Sequence, residues 1–330
     1  MNLLDYNIND LYIEYDFEDI ESCECIGTFQ DEYVYDIEID DDTHTFVAND
    51  ILVHNSVYAT FEEVIASCNY PGTGTEFIIQ LYELRLDEYI NKCFDGYAKK
   101  YHTDNIQALE LEKISESAII LAKKKYVLDL VWKDPGVFYD AQTKLNSKGV
   151  EIVQSSTPSF ARKNLNELLK ILFKEKKNLD VKKFVDRLKD LKEQFKLSGV
   201  EEISKSTSIG DYEKGISQDK EKLVIESRCP IHVRASGHYN YILNNNTKMK
   251  RKYQLIRSGD KVRWYFCKTD RPDDNGVFAY QPGNFPHEIA PEIDYDTQFT
   301  KVIIEPINRF IVAMGFGSIP PNLITSTRLF

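Results

Sequence analysis

Residues 108–132 read ALELEKISESAIILAKKKYVLDLVW, two apolar runs of strand length separated by the lysine run Lys123-Lys124-Lys125 and then Tyr126. The alternation after Tyr126 and the shortness of both runs predict two strands rather than one helix. A lysine run on a helix is ordinarily a solvated face. Placed directly before a strand, long cations beside a tyrosine can follow phosphates and the minor groove, giving affinity without sequence information. Glu112 stands eleven residues ahead of Lys123. Upstream, residues 76–101 set Ile79, Tyr82, Leu86, Tyr89, Ile90 and Cys93 near helical spacing, and residues 56–63 (SVYATFEE) read as a strand entering a turn. Strand, helix and strands together predict an α+β layer.

Downstream the period changes. Leu165, Leu168, Leu169 and Leu172, then Val181, Phe184, Val185, Leu188, Leu191 and Phe195, recur at three and four residues, with Asp180 placed as an N-cap between the two runs. Lysines fill the opposite faces. Residues 253–266 (YQLIRSGDKVRWYF) predict a hairpin around Ser258-Gly259-Asp260, from which Arg257, Lys261 and Arg263 would reach a nucleic-acid backbone.

At 330 residues, 42% apolar and 12% aromatic, the chain has material for two or three cored domains. No apolar run reaches the roughly 18 residues of a membrane span, and the start lacks the basic and apolar regions of a signal peptide. No membrane role and a cytoplasmic location are expected, in the host cell if the chain is phage-encoded. The six cysteines are dispersed, which predicts reduced thiols and gives no zinc pattern. The net charge of -12 divides unevenly: residues 1–55 hold ten Asp and six Glu with no Lys or Arg, whereas residues 120–270 carry a clear basic excess. An acidic head joined to a basic body implies two electrostatic tasks.

The head reads as short strands and turns, ending in Ile51-Leu52-Val53-His54-Asn55-Ser56. An asparagine amide can attack its own main-chain carbonyl and cut the chain after itself, a reaction that is very slow unaided. His54 is placed to donate a hydrogen bond or proton at the scissile carbonyl, and the Ser56 hydroxyl to accept an acyl group. His44 would fold back across a hairpin as a further acid-base group. Alone, a His-Asn-Ser step is weak, because a loop asparagine is more often a turn residue.

The ordered set VYDIEIDDDTHTFVANDILVHNS, residues 34–56, resembles the C-terminal splicing blocks of an intein. The resemblance implies that Asn55 cyclises, His54 and His44 assist, Asp36 is the aspartate of the preceding strand and Ser56 opens the downstream extein. With Met1 only some fifty residues upstream, the expected partner is a separately made N-terminal precursor that splices in trans. The charge of the head predicts a basic N-terminal intein half, or serves solubility.

The Glu112 strand followed by Lys123, Lys124, Lys125 and Tyr126 resembles the palm of a family B DNA polymerase, where such a lysine-tyrosine motif holds the primer terminus. Residues 149–163 (GVEIVQSSTPSFARK) and 228–243 (RCPIHVRASGHYNYIL) are similar to the palm-to-thumb crossing and thumb of the T-even-phage type. In this family a Tyr-Gly-Asp-Thr-Asp-Ser hairpin binds two magnesium ions, and Ser56 reads as its last residue. The resemblance therefore implies that splicing restores the hairpin at its catalytic aspartate, with Mg2+ held mainly by partner aspartates and Glu112 nearby. Primer-template DNA and deoxynucleoside triphosphates would be the substrates. The final STRLF resembles short tails that dock on a sliding clamp.

The expected architecture is α+β and multidomain: an all-β intein (Hint-type) fragment at 1–55, palm at 56–155, and a mostly helical thumb and tail at 156–330. The alternative is a splicing-inactive DNA- or clamp-binding module that assembles noncovalently with its partner.

Overall fold

The computed structural model describes the backbone of four strands within residues 25–54, then residues 59–68, 70–105, 107–122, 124–219, 222–226, 228–268 and 276–325. Helices and small antiparallel sheets are mixed throughout, an α+β arrangement. The head contributes two hairpins, β1 (Cys25–Phe29) with β2 (Glu32–Tyr35) and β3 (Thr45–Ala48) with β4 (Ile51–His54). Two compact units follow from the contacts, residues 1–114 with 132–138 and residues 115–131 with 139–330. Among the described residues no helix is long and apolar enough to cross a membrane.

The first unit is helical after the head: α1 (Glu62–Cys68), α2 (Gly74–Leu81), a π turn (Tyr82–Leu86) and α3 (Asp87–Lys100). Glu62 and Glu63, expected in a turn, open α1, where acidic side chains favour the positive end of the helix dipole. Thr73 and Glu76 form a reciprocal capping box that fixes the start of α2.

The second unit holds most of the hairpin of β5 (Lys113–Ala122) and β6 (Lys125–Lys133). Strand β6 pairs along its first half with β8 (Leu145–Lys148). In the first unit, the end of β6 meets β7 (Val137–Phe138). The two runs of leucine periodicity form α4 (Ser159–Glu175) and α5 (Val181–Leu197), and the Asp180 carboxylate caps α5 by accepting from the Lys183 amide at 3.1 Å. Leu165, Leu168, Leu169, Leu172, Leu188 and Phe195 are all but sealed from solvent. Each contributes on the order of 1.5–3 kcal/mol of burial. Their core is closed by the C-terminal helices α10 (Tyr295–Phe299), a π turn (Thr300–Ile304) and α11 (Glu305–Ala313), with Phe195 edge-on to Phe299 at 5.3 Å. The short α12 (Asn322–Thr325) ends the described chain.

A second core in this unit surrounds a three-stranded sheet, a feature that a mostly helical thumb did not anticipate. Its order is β13 (Val277–Tyr280), β12 (Lys261–Phe266) and β9 (Lys205–Ser208), preceded by the short α6 (Val200–Ile203). Between β9 and β12 come α7 (Tyr212–Gly215), the hairpin β10 (Ile216–Asp219) and β11 (Lys222–Ile225), then α8 (Ile231–Asn244) and α9 (Thr247–Lys252). Helix α8 lies against the sheet through Tyr239 and Phe278, 5.9 Å apart. Gly237 in mid-α8 admits the β10–β11 hairpin on this helix, because a Cβ there would stand 2.7 Å from Ile216 Cδ1.

The hairpin expected over residues 253–266 is not formed. Gly259 makes the turn at φ +90°, and β12 follows it, but residues 254–257 are not a strand, and β12 pairs with β9 and β13 instead. The physical reason is Asn240: its side-chain amide donates to the Ile256 carbonyl at 2.7 Å and accepts from the Ile256 amide at 2.8 Å. One buried side chain thus takes the place of a neighbouring strand.

Candidate nucleic-acid interface

The lysine motif occupies the tip of the β5–β6 hairpin. Lys124 sits in the turn at φ +60°, a left-handed conformation uncommon for a residue with a Cβ, and Lys125 opens β6; both side chains are exposed. Tyr126 is half-buried. The turn rests on Gly149, where a Cβ would lie 2.1 Å from the Lys124 carbonyl oxygen and 3.1 Å from Lys125 Cγ. Any side chain at 149 would push the lysine turn away. Register then adds a residue that sequence reading missed: Tyr126 is paired with Lys148 of β8, whose side chain is exposed. Lys124, Lys125, Tyr126 and Lys148 therefore form one basic edge. The sequence signal for Lys148 was its position directly before the glycine that supports the turn. Lys123 lies outside the described residues.

Under this edge, β6 carries a charged group in an apolar strand. Asp129 is fully buried; one carboxylate oxygen accepts from the Gln142 amide at 2.6 Å, holding Gln142 at φ +61°, and the other has no hydrogen-bond partner. Burial raises the Asp129 pKa above the ordinary carboxylate value, and the charge of Glu116 adds to the rise. Glu116 is itself paired with Lys176 at 2.9 Å. The folded chain thus holds the Asp129 proton more tightly than the unfolded chain does. Stability from this group is present at acidic pH and is lost as pH rises from the ordinary carboxylate range through the raised folded value. Asp129→Asn keeps an acceptor for Gln142 and removes the charge. Its advantage over the native chain in urea midpoint is expected to grow with pH on that limb; a constant difference from pH 4 to 8 would contradict the assignment.

The second basic group divides. Arg257 and Lys261 flank the Gly259 turn with exposed side chains. Arg263 is half-buried and donates to the Glu201 carbonyl at 2.6 Å, with the Glu201 carboxylate 3.5 Å from Nε, so its guanidinium ties β12 to α6. The lysine faces of α4 and α5 are also mixed: Lys170, Lys189 and Lys196 pair with carboxylates one turn away, and Lys192 is buried against Asp296.

Glu112, expected near the metals, precedes β5 with an exposed side chain that is ion-paired to Lys113. Among the described residues no three of His, Cys, Asp and Glu stand together as ligands. They do not by themselves fit a magnesium ion.

In the head, Thr45 is paired with His54 across the β3–β4 hairpin. His44, Asp36, Asn55 and Ser56 lie outside the described residues, as does the 326–330 tail.

Comparison with known proteins adds the family. The model for DNA polymerase family B matches residues 90–314. A DNA polymerase of Thermococcus sp. (strain GE8) is 28% identical over 196 residues, covering 59% of this chain and 10% of that protein. One from Thermococcus aggregans is 30% identical over 165 residues, 49% of this chain and 7% of that protein. The DNA-directed DNA polymerase of Escherichia phage RB69 is 24% identical over 196 residues, 58% of this chain and 20% of that protein. The chain thus spans a fifth or less of the length of these relatives. With the match running from within α3 to the end of α11, through the lysine-tipped hairpin, the chain belongs to DNA polymerase family B.

Proposed function

We propose that this chain supplies part of the palm and the thumb of a DNA-directed DNA polymerase and is joined to the rest by protein trans-splicing after Asn55. In this reading Asn55 cyclises, His54 and His44 assist, Asp36 supports them, and Ser56 becomes the residue following the restored metal-binding hairpin. The observation that carries the polymerase part is the family match over residues 90–314, with the basic edge at the tip of β5–β6. The splicing part is supported by the ordered His44, His54, Asn55 and Ser56, and by a hairpin that sets Thr45 opposite His54, next to two of the residues concerned.

The joined enzyme would extend a DNA primer from deoxynucleoside triphosphates. Magnesium, when bound by aspartates of the remaining polymerase, supplies activation of the primer hydroxyl and stabilisation of the leaving pyrophosphate. This chain's share is positioning: Lys123, Lys124, Lys125 and Tyr126 at the primer end, with Lys148 beside them, and Arg257 and Lys261 on the duplex backbone, while Arg263 ties down β12, the strand that Lys261 opens. A sliding clamp is the expected partner of the tail, and the host cytoplasm the location for a phage-type enzyme.

The test is primer extension by the mixed precursors, expected from the mixture and from neither chain alone. Lys124→Ala with Lys125→Ala is expected to weaken primer-template binding about tenfold at moderate salt and to lower the slope of log affinity against log salt by about 2, one contact per lysine. An unchanged slope would remove the lysine edge from the interface. A noncovalent reading is also open, and full extension by an Asn55→Ala mixture would favour it.

A further inference from the structure

A cleft of about 230 Å³ opens in the second unit between α7, α8 and the segment that leads into the Gly259 turn. Ile216, Leu255 and Ile256 give it an apolar wall, and Tyr212, Glu213 and Arg257 a polar rim. Both sides are fastened by hydrogen bonds. The Ser258 hydroxyl accepts from the Tyr212 amide at 3.0 Å and donates to the Glu213 carboxylate at 2.7 Å, which ties α7 to the turn. Asn240 fixes the other side through both backbone groups of Ile256. Walls set before anything enters lose little freedom on binding. The rim is mixed in a way that a surface for phosphates alone does not explain. Arg257 lines the cleft and Lys261 follows it across the turn, both exposed. Glu213 stands with them, and the hydrogen bond from Ser258 holds its carboxyl below the ordinary value, so it is ionised at neutral pH. An ionised carboxylate only accepts hydrogen bonds, and so do the phosphates and sugars inside a DNA strand. The donors of an internal nucleotide all lie on its base. Burial pushes the Tyr212 phenol up, against the pull of the Asn240 amide, so its O–H remains a donor for acceptor atoms of the same base. Size agrees, since an apolar cavity of about 150 Å³ takes a benzene ring and this cleft has room for a larger heterocycle.

We propose that this cleft receives one unstacked nucleobase of a DNA strand, with Glu213 accepting from the base edge, Tyr212 and Arg257 donating to it, and Leu255 and Ile216 against its face. The inference rests on the reading that Arg257 and Lys261 lie on the DNA backbone, and it adds base selectivity to a contact that otherwise carries none. A base with an exocyclic amino group answers the carboxylate best. Guanine offers that donor together with the O6 and N7 acceptors, whereas thymine has no amino group, so guanine is preferred over thymine.

The test titrates three short single strands of equal length against the full chain at fixed salt: all thymine, thymine with one central guanine, and thymine with an abasic sugar at that place. Their phosphates are equal in number, so the salt-dependent part of the affinity is common to all three. The guanine strand is expected to bind about fivefold tighter than the all-thymine strand, the lower end of what one captured base is worth, and the abasic strand no tighter than the all-thymine one. Leu255→Trp fills the cleft and is expected to abolish the preference. Tyr212→Phe keeps the ring, removes the O–H and is expected to reduce it. Lys261→Ala is expected to weaken all three strands alike and to lower the salt slope by about 1. Equal affinity for the guanine and thymine strands, or a preference that survives both cleft substitutions, overturns the inference; if the Lys261 effect is retained, the backbone reading stands. Absence of any Lys261 effect overturns that reading, and the inference falls with it. Competition by free guanosine monophosphate as strong as that of the guanine strand overturns the assignment to a strand, in favour of a free nucleotide.

Discussion

Asn55→Ala is expected to abolish ligation, lowering the yield of joined chain at least a thousandfold, because no other group can take over the bond-breaking step. In cyclisation the Asn55 side-chain nitrogen attacks the Asn55 carbonyl carbon, the Asn55–Ser56 peptide bond breaks, and the Ser56 nitrogen takes up a proton. Alanine has no nucleophile to offer. His54→Ala leaves the nucleophile and removes proton delivery to the leaving amine, so a loss of about 10²–10⁴ is expected, the usual worth of a positioned acid-base group. His44→Ala should fall in the same range if it acts across the β3–β4 hairpin, whose register pairs the adjacent Thr45 with His54. Ser56→Ala should stop transfer of the upstream segment while leaving Asn55 cyclisation in place, so that cleaved but unjoined products accumulate. Denaturing gels of timed mixtures separate these outcomes, and ligation by Asn55→Ala at a measurable rate would contradict the mechanism.

The largest effect on stability is expected at Asn240. Its amide satisfies both backbone groups of Ile256, and that residue is 1% exposed. Alanine at 240 would leave a buried N–H and a buried C=O without partners, at about 1–3 kcal/mol each, so a total loss of about 2–5 kcal/mol is expected. Asn240→Asp keeps an acceptor for the N–H and forfeits the donor, and should fall between the two. The loss is local first: hydrogen exchange at the Ile256 amide should accelerate before that of the helices α4 and α5, whose core is separate. Because the segment leads into Arg257 and the Gly259 turn, the same change should loosen the second basic group. A change in urea midpoint equivalent to less than about 0.5 kcal/mol would place Asn240 among ordinary surface positions.

These two residues also mark what the sequence disclosed. The helices α4 and α5 were legible because leucine and phenylalanine recur at helical spacing around the capping Asp180, a local pattern with a local cause. The strands β5 and β6 were legible for a similar reason, and Lys124 between them occupies the turn. Asn240 was not legible. Nothing local distinguishes an asparagine that replaces a strand from one that faces water, and the hairpin expected over residues 253–266 failed on that account. Strand β9, Lys-Ser-Thr-Ser, lacks apolar alternation altogether, since its pairing with β12 rests on backbone bonds. Lys192 and Arg263 show the same limit from the charged side: one lysine among many is buried against Asp296, and one of the three candidate cations Arg257, Lys261 and Arg263 is held by Glu201. Their partners are about sixty to a hundred residues away in sequence, beyond the reach of any local pattern.

The measurement that tests the central claim most directly is fragment mass sequencing across the junction formed when this chain is mixed with its N-terminal precursor. A product reading Asp-Thr-Asp-Ser-Val-Tyr, its serine derived from Ser56 and residues 1–55 released as a separate fragment, is the expected result. Intact precursors after prolonged mixing under reducing conditions at neutral pH would contradict it, leaving the chain as a polymerase-family module that works without being joined.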